Sequence, residues 1–264
     1  MNNQSMTILV IGATGSIGSL VVEEALRQEY SVRALVRSAE KARRLPAKAE
    51  AVIGDLTRPD TLDAAVKDID AIVFAHGSDG AGKAGSETVD YGGVRNVLAA
   101  LGSRKARIAL MTAIGVTNRT GSYNRSTESH DWKRRAERLV RASGCPYTIV
   151  RPGWFDYNKA DEHKLVFLQG DTRQAGNSSD GVIARRQIAK VLVSSLNSGA
   201  ALRKTFELVA TKGPAQEDLD ALFAGLDPDS NSSLDGVRDM PNQPLEDEPQ
   251  RVKDDLRTLS AIRR

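Results

Sequence analysis

Residues 12–18 read Gly12-Ala-Thr-Gly-Ser-Ile-Gly18, directly after the apolar run Ile-Leu-Val-Ile at 8–11 and before a helical pattern. A strand, a glycine turn and a helix in this order are typical of a dinucleotide-binding site. Gly12 permits a tight turn, Gly15 lets the backbone approach a pyrophosphate, and Gly18 lets the helix pack on the sheet. The helix N-terminus would then point free N–H groups at the phosphates. The alternative is an ordinary strand-to-helix turn.

Short apolar runs alternate with helical patterns along most of the chain. The predicted strands are residues 7–11, 31–36, 51–53, 71–75, 107–112, 147–150 and 205–210. The predicted helices are residues 17–28, 38–45, 59–66, 89–101, 130–142 and 184–196. This alternation predicts an α/β fold, a doubly wound parallel sheet (Rossmann fold), with ligands bound at the carboxyl edge of the strands.

The composition changes near residue 213, and we divide the chain there. Residues 1–212 are predicted to form the dinucleotide-binding domain, with a substrate segment at 151–181, and residues 213–264 a helical and irregular C-terminal extension. Within the extension, 216–226 predicts an amphipathic helix that docks through its apolar face. Residues 227–248 are rich in Asp, Ser, Asn and Pro, and we expect an exposed loop or disorder whose removal leaves folding intact. A short charged helix is predicted at 250–259.

Charge and composition exclude several classes of partner. The net charge of +3 is small and the basic residues are dispersed, so we expect no nucleic-acid partner. The basic runs at 133–135 and 185–186 are predicted to be solvated helix faces, or else to contact an anionic ligand. Cys145 stands alone and cannot form an internal disulfide, which is typical of a reducing compartment. The acidic residues from Asp227 lack the glycine and glutamate of a calcium loop, and we expect no metal.

Membrane and secretion signals are absent from the sequence. No apolar run reaches the ~18 residues of a membrane helix, and residues 1–5 carry no charged or apolar leader. We therefore expect a cytoplasmic protein, monomeric or homodimeric, that takes a small-molecule substrate and has no membrane partner.

The end of the second predicted strand indicates which nucleotide is bound. An NAD-selective fold usually has an acid there, which binds the ribose 2′-hydroxyl, whereas this chain has Arg37. A guanidinium suits a 2′-phosphate, so we expect NADP(H) in preference to NAD(H), with Arg33 and Lys41 adding charge. The alternative is that Arg37 is a solvated strand end.

Two further turns are expected to line the nucleotide. Asp55 and Leu56 follow the third strand, where a carboxylate can meet the adenine amino group. Ala75, His76 and Gly77 follow the fourth strand and allow close backbone approach, and His76 serves either for proton transfer or for packing. The full set of predicted cofactor residues is Gly12, Thr14, Gly15, Ser16, Ile17, Gly18, Arg37, Asp55, Leu56, Ala75, His76, Gly77, Lys133 and Pro152.

The chain resembles the atypical short-chain dehydrogenase/reductases, in particular their NAD(P)H-binding, NmrA-like and biliverdin-reductase-B-like group. The resemblance spans about residues 6–212 and includes the glycine stretch, residues 32–37, Gly54-Asp-Leu56 and Tyr147-Thr-Ile-Val-Arg-Pro-Gly153. It implies a Rossmann fold with NADP at the strand ends. It also implies a substrate pocket built from the segment after Gly153.

One feature of the family is missing. Active members usually carry Tyr-x-x-x-Lys, in which the tyrosine is the general acid and the lysine binds the nicotinamide ribose. Aligned on Lys133, the tyrosine position is Ser129, and a serine hydroxyl is a far weaker acid than a phenol. Lys133 remains the best candidate for a catalytic residue, with Ser129, His130 and Thr112 as further candidates. Asp131, Tyr157 and His163 are alternative proton sources, and each has a purely structural interpretation as well.

Three aromatic residues stand together after Gly153. Trp154, Phe155 and Tyr157 are predicted to line a substrate pocket that suits a flat apolar ligand, or else to cap the core. Two functions follow: an NADP(H)-dependent oxidoreductase acting on a flat aromatic or quinone-like substrate, or a non-enzymatic NADP(H)-responsive binding protein. A third, a sugar-nucleotide epimerase or dehydratase, also needs the missing tyrosine.

Overall fold

A computed structural model describes residues 6–78 and 80–262; residues 1–5, on which the expected absence of a leader rests, lie outside them. The strands are β1 (Thr7–Ile11), β2 (Ser31–Val36), β3 (Glu50–Ile53), β4 (Ala71–Phe74), β5 (Arg107–Met111), β6 (Tyr147–Pro152), β7 (Trp154–Phe155), β8 (Lys164–Leu168), β9 (Val182–Ile183) and β10 (Lys204–Thr211). The α-helices are α1 (Gly18–Arg27), α2 (Ala39–Ala42), α3 (Gly82–Gly85), α4 (Gly92–Leu101), α5 (Ser122–Thr127), α6 (Ser129–Ala142), α7 (Arg185–Asn197), α8 (Asp220–Ala224) and α9 (Gln250–Ile262).

The strands form one sheet in the order β3-β2-β1-β4-β5-β6-β10-β9-β7, with β8 antiparallel to β10. The seven strands from β3 to β10 are mutually parallel. The strand order reverses between β1 and β4, which is where a doubly wound sheet opens a ligand-binding crevice. The predicted α/β Rossmann fold is confirmed, with an antiparallel edge formed by β8 and β9.

The core has two layers because side chains alternate across each buried strand. Ile8 and Val10 of β1 pack with α1 and α7 on one face, while Leu9 and Ile11 pack with α4 and α6 on the other. The second layer also takes in α9, whose apolar residues Val252, Leu256 and Leu259 are buried. The C-terminal helix is therefore part of the core.

Several elements differ from their predicted bounds. The helix predicted at 59–66 is only a 3₁₀ turn, Pro59–Thr61. The helix predicted at 89–101 begins earlier, as α3, and passes through a π-helix, Ser86–Tyr91, before α4. Sequence analysis missed β7, β8, β9 and α5, since runs of two to six residues are too short for a hydrophobic period to be recognised.

The extension is joined to the rest of the chain by buried charges. As expected, residues 216–226 dock on the core: α8 is short, but its Phe223 and the flanking Leu219 and Leu226 are buried. Residues 227–248 are mostly irregular, as predicted, yet the expected exposure is wrong at Asp229 and Glu248, which are buried. The division at residue 212 remains a prediction.

The arginines of α6 are the partners of those acids. Arg134 and Arg138 bind the same carboxylate, Asp235, at 3.0 and 2.8 Å. Arg135 and Arg138 share Glu248, at 2.6 and 2.7 Å. The expectation that residues 133–135 form a solvated face is therefore wrong: Arg134 and Arg135 are buried, because the extension supplies carboxylates above them.

Arg151 of β6 lies at the centre of this network. Its Nε and Nη2 donate to the two oxygens of Glu137 at 2.9 and 2.7 Å. Its Nη1 and Nη2 donate to the two oxygens of Asp239 at 2.7 Å each. The side chain is fully buried, and the neighbouring carboxylates outweigh the effect of burial, so that its pKa is raised well above the usual value. Arg151 thus links the sheet, α6 and the extension.

We predict that truncation after Leu226 strongly destabilises the protein, contrary to the expectation from sequence. Asp239→Asn removes one partner of a buried ion pair, and losing such a partner costs about 3 kcal/mol. The free energy of unfolding in urea should fall by that amount. Truncation after Leu226 removes Asp235, Asp239 and Glu248 together and should prevent cooperative folding.

The matched control is Asp254→Asn on α9, where Asp254 pairs with Arg257 and both side chains are more than half exposed. An exposed pair of this kind contributes about 0.5 kcal/mol. Equal stability of the Asp239 and Asp254 variants would contradict the structural role of the network.

Candidate functional site

The glycine loop after β1 is built for close contact. Gly12 has a φ of +83°, and a Cβ there would lie 2.8 Å from the carbonyl oxygen of Ala75. A Cβ on Gly18 would lie 2.0 Å from the carbonyl oxygen of Gly12. Neither position has room for a side chain, so the loop folds tightly against the end of β4. Gly15 and Ser16 at its tip are exposed.

The helix that follows presents an uncompensated N-terminus. Ile17 precedes α1 without a side-chain cap, and the first turn carries no acid. Free N–H groups and the helix dipole therefore favour an anion at this point. Arg185 at the start of α7 contacts this loop, because its Nε donates to Ser16 Oγ at 3.2 Å while its Nη1 pairs with Asp156. The predicted phosphate residues, including Thr14, lie in this loop.

The end of β2 carries the nucleotide-selecting candidate. Arg37 follows β2 directly and is exposed. Across the turn, the pKa of Asp55 is lowered mainly by the backbone N–H of Thr57 and also by the Arg37 charge. Arg33 does not join this pair: it binds Glu50 at 2.8 Å and donates to the carbonyl of Lys67. The expectation that Arg33 adds charge at the nucleotide is therefore wrong.

The turns after β3 and β4 are fixed by hydrogen bonds. Asn96 of α4 donates to the carbonyl of Leu56 at 2.6 Å. His76 Nε2 lies 3.1 Å from the carbonyl of Val89, so Nε2 carries the proton. Its Nδ1 is buried and has no partner within the described part of the chain. Burial lowers the pKa of His76, with Asp90 opposing, so the ring is neutral and its hydrogen bond anchors the π-helix. Gly77 is exposed.

Lys133 is held by an acid that sequence analysis missed. Its Nζ lies 2.8 Å from Asp90 Oδ2 and 3.2 Å from Ser129 Oγ. Ser78 in turn donates to both oxygens of Asp90, from its N–H at 3.0 Å and its hydroxyl at 2.9 Å. An ammonium has three donors, and two are used here, which leaves one for a ligand hydroxyl. Asp90 lies in the π-helix, whose wide turn hides it from a 3.6-residue pattern.

His130 lies on the same helix as Lys133. Its Nδ1 is buried and finds no partner in residues 6–78 or 80–262. Burial lowers the pKa of His130, although a hydrogen bond with the backbone of Asn118 raises it. The ring packs on Tyr123, with centroids 5.3 Å apart. The neighbouring Asp131 binds Arg119 at 3.2 Å and is a structural acid.

Other predicted residues lie elsewhere. The hydroxyl of Thr112 donates to Glu137 at 2.8 Å, so it belongs to the buried network around Arg151 and is not grouped with Lys133. The carbonyl of Pro152 accepts from Ile114 N at 3.0 Å.

The aromatic residues after Gly153 form an open surface. Trp154 and Tyr157 meet edge to face, with centroids 6.3 Å apart, and both are exposed. Phe155 is half-buried, with the guanidinium of Arg185 5.3 Å from its ring centroid. Arg185 thus connects this surface to the glycine loop.

No helix in the described ranges is both long and apolar enough to cross a membrane. Residues 6–78 and 80–262 also contain no group of three or more His, Cys, Asp or Glu side chains arranged for a metal ion.

Comparison with known proteins agrees with this geometry. The sequence profile of the NAD(P)H-binding family matches residues 12–199. The chain is 32% identical over 225 residues to YhfK of Bacillus subtilis (strain 168), named an uncharacterised sugar epimerase, with 82% of this chain and 100% of that protein covered. It is 26% identical over 266 residues to sanguinarine reductase of Eschscholzia californica, with 84% and 97% covered.

A solved structure from Bacillus halodurans, provisionally assigned as an NAD-dependent epimerase/dehydratase, matches with a TM-score of 0.68 and 25% identity, covering 80% of this chain and 96% of that one. The profile match, the sheet order and the glycine loop point to the same conclusion. The chain belongs to the NAD(P)H-binding family of atypical short-chain dehydrogenase/reductases, a reductase-like group with a nicotinamide cofactor.

Proposed function

We propose that the protein is an NADP(H)-dependent oxidoreductase that reduces a small, flat aromatic or quinone-like substrate without a tyrosine acid. The observation that carries this proposal is that a single loop after β4 connects the glycine turn with the lysine site. Ala75 and His76 lie against Gly12, and Ser78 in the same loop binds Asp90, which holds Lys133. A cofactor on the glycine loop thus has a lysine with one unused donor at the other end of the same loop.

The preference for NADP(H) rests on Arg37. It is exposed after β2, at the position where an NAD-selective fold has an acid. A planar guanidinium binds a phosphate with two parallel charge-assisted hydrogen bonds. The Bacillus halodurans protein is provisionally assigned as NAD-dependent. The affinities of this chain for NADPH and NADH are therefore compared directly in the first experiment below.

The chemistry assigns a separate task to each residue. A bound nicotinamide supplies the hydride. Lys133 binds a ribose hydroxyl with its third donor and so orients the ring, while Asp90 and Ser129 hold its ammonium in place. The Ser129 hydroxyl accepts from Lys133 and is too weak an acid to replace a phenol. Reduced quinones and flavins take their protons from water, and this is why we propose that substrate class.

A non-enzymatic, NADP(H)-responsive binding protein is the second candidate. It is favoured by Ser129, which stands in place of the tyrosine acid. The exposed rings of Trp154 and Tyr157 also favour it, because they lie on a surface that a partner can reach. The epimerase named among the relatives has less support here, since that chemistry also needs the tyrosine.

We predict that Arg37→Ala weakens NADPH binding about tenfold or more and leaves NADH binding unchanged, because one charge-assisted contact to the 2′-phosphate is lost. Titration of both nucleotides by calorimetry measures this. Arg257→Ala, an exposed arginine on α9, is the control. A native preference for NADH, or equal losses for both nucleotides, would contradict the assignment.

Asp90→Asn tests how Lys133 is positioned. We expect the dissociation constant of NADPH to rise about tenfold, because the ammonium loses its charged partner. Asp90→Glu should restore part of the affinity, which a general loss of structure would not allow. Asp63→Asn, at an exposed position, is the control. Melting temperatures are recorded for all variants, and unchanged NADPH affinity in Asp90→Asn would remove Asp90 from the site.

Lys133→Ala separates the two candidate functions. With NADPH and menadione, FMN or benzaldehyde, the enzyme should turn over at least one substrate, and kcat/KM should fall roughly 100-fold in the variant, about the effect of losing a charged contact. Tight NADPH binding without turnover of any substrate class would favour the binding protein. Protection of residues 154–181 from proteolysis by NADPH would then support it.

A further inference from the structure

A second concave site lies outside the glycine loop and the Lys133 cluster. A cavity of roughly 410 Å³ opens between β8, β10 and the extension. Its wall includes Ile114, Phe167, Glu207 and Leu226, with Arg173 and Arg238 also lining it. We call it the Glu207 cavity. None of these six side chains is used by the proposed reductase chemistry.

Glu207 is a buried carboxyl without a strong partner. Its Oε1 lies 3.4 Å from Arg151 Nη1, and its Oε2 accepts from Asp171 N at 3.2 Å, both long contacts. Arg151 is already bound by Glu137 and Asp239 at shorter distances. Burial consequently raises the pKa of Glu207 to about 7, against the opposing charge of Arg151.

Two exposed arginines also line the cavity. Arg173 donates to the carbonyl of Asp180 at 3.4 Å, and no carboxylate in the described part of the chain forms an ion pair with it. Arg238 pairs with Asp227, and both side chains are more than half exposed. A guanidinium without a carboxylate partner at a cavity wall is available for a bound anion.

The remaining wall has an apolar part, beside the polar side chains of Gln169 and Thr172. Phe167 stacks on Phe206 with ring centroids 4.3 Å apart and also contacts Phe223 at 5.3 Å. Ile114 and Leu226 are both buried in the fold. Such a wall suits an apolar ligand body, because burying it removes apolar surface from water.

We propose that the Glu207 cavity binds an organic acid, with the ligand carboxylate on the unpaired Arg173 and its apolar body against Phe167, Ile114 and Leu226. Glu207 at the inner wall then governs the affinity through its charge. The test of this site needs no nucleotide.

The sign of the pH dependence follows from the charges around Glu207. Arg151 on β6 is neutralised by Glu137 and Asp239, and the Asp171 carboxylate accepts from Gly115 N and Thr117 N. Arg238 is paired with Asp227. Glu207 is therefore the group whose charge changes near pH 7. Below its pKa it is neutral and tolerates an anion, and above it a second negative charge repels one.

The experiment is calorimetric titration of the full chain, without nucleotide, with 2-naphthoate and with 2-naphthamide as the uncharged analogue. We expect saturable binding of naphthoate that weakens several-fold from pH 6 to pH 8, although the probe stays ionised throughout. Arg173→Gln should weaken naphthoate binding about tenfold and leave naphthamide unchanged. Arg186→Gln, an exposed arginine of α7 paired with Glu23, should have no effect.

Glu207→Gln should abolish the pH dependence while retaining naphthoate binding at pH 6. The melting temperature of the Glu207→Gln variant shows whether that variant still folds. If it does not fold, the Arg173→Gln variant still tests the proposal, because Arg173 is exposed. Three results would overturn the proposal: no saturable naphthoate binding, equal affinity for naphthamide, or an Arg173→Gln variant that binds naphthoate like the native chain.

Discussion

The structure depends on the pairing of one buried cation. Arg151 has no access to water, and an unpaired charge at that depth would be prohibitively costly, so the fold exists only if acids surround it. Glu137 comes from α6 and Asp239 from the extension. Satisfying Arg151 therefore fixes the helix that carries Ser129 and Lys133 and also draws the C-terminal residues over it. The candidate site is positioned by a charge network that includes neither Ser129 nor Lys133.

The two halves of the molecule differ in how well sequence analysis predicts them. The glycine turn and the seven parallel strands follow from local patterns, and their predicted bounds are nearly correct. The prediction that Arg134 and Arg135 are solvated is wrong because an arginine that forms a buried ion pair and one on a solvated helix face cannot be distinguished in a sequence. Arg134 and Asp235 are about 100 residues apart, and Arg151 and Asp239 nearly 90, so no local period connects them. Asp90 was missed for a related reason, since a π-helix breaks the spacing on which helical patterns rest.

The chain departs from the family pattern at a single position of α6, where a serine stands in place of a tyrosine. Ser129 occupies the position aligned with the family tyrosine, four residues before Lys133, and it accepts a hydrogen bond from that lysine. The chain keeps the lysine of the family pair and leaves out the tyrosine. The reductase chemistry proposed above is therefore one whose substrates need no acid from the protein.

The π-helix also constrains how the chain can vary in length. Adjacent residues in it have partners on different helices: Asp90 binds Lys133 of α6, and Tyr91 donates to Asp255 of α9 at 2.7 Å. One residue added or removed within Ser86–Tyr91 would rotate the following helix by about 100°. Asp90 and Tyr91 would then lose their partners together. This short segment can accept many substitutions in evolution but no insertion or deletion, so its length should be among the most constant features of close homologues that keep both contacts.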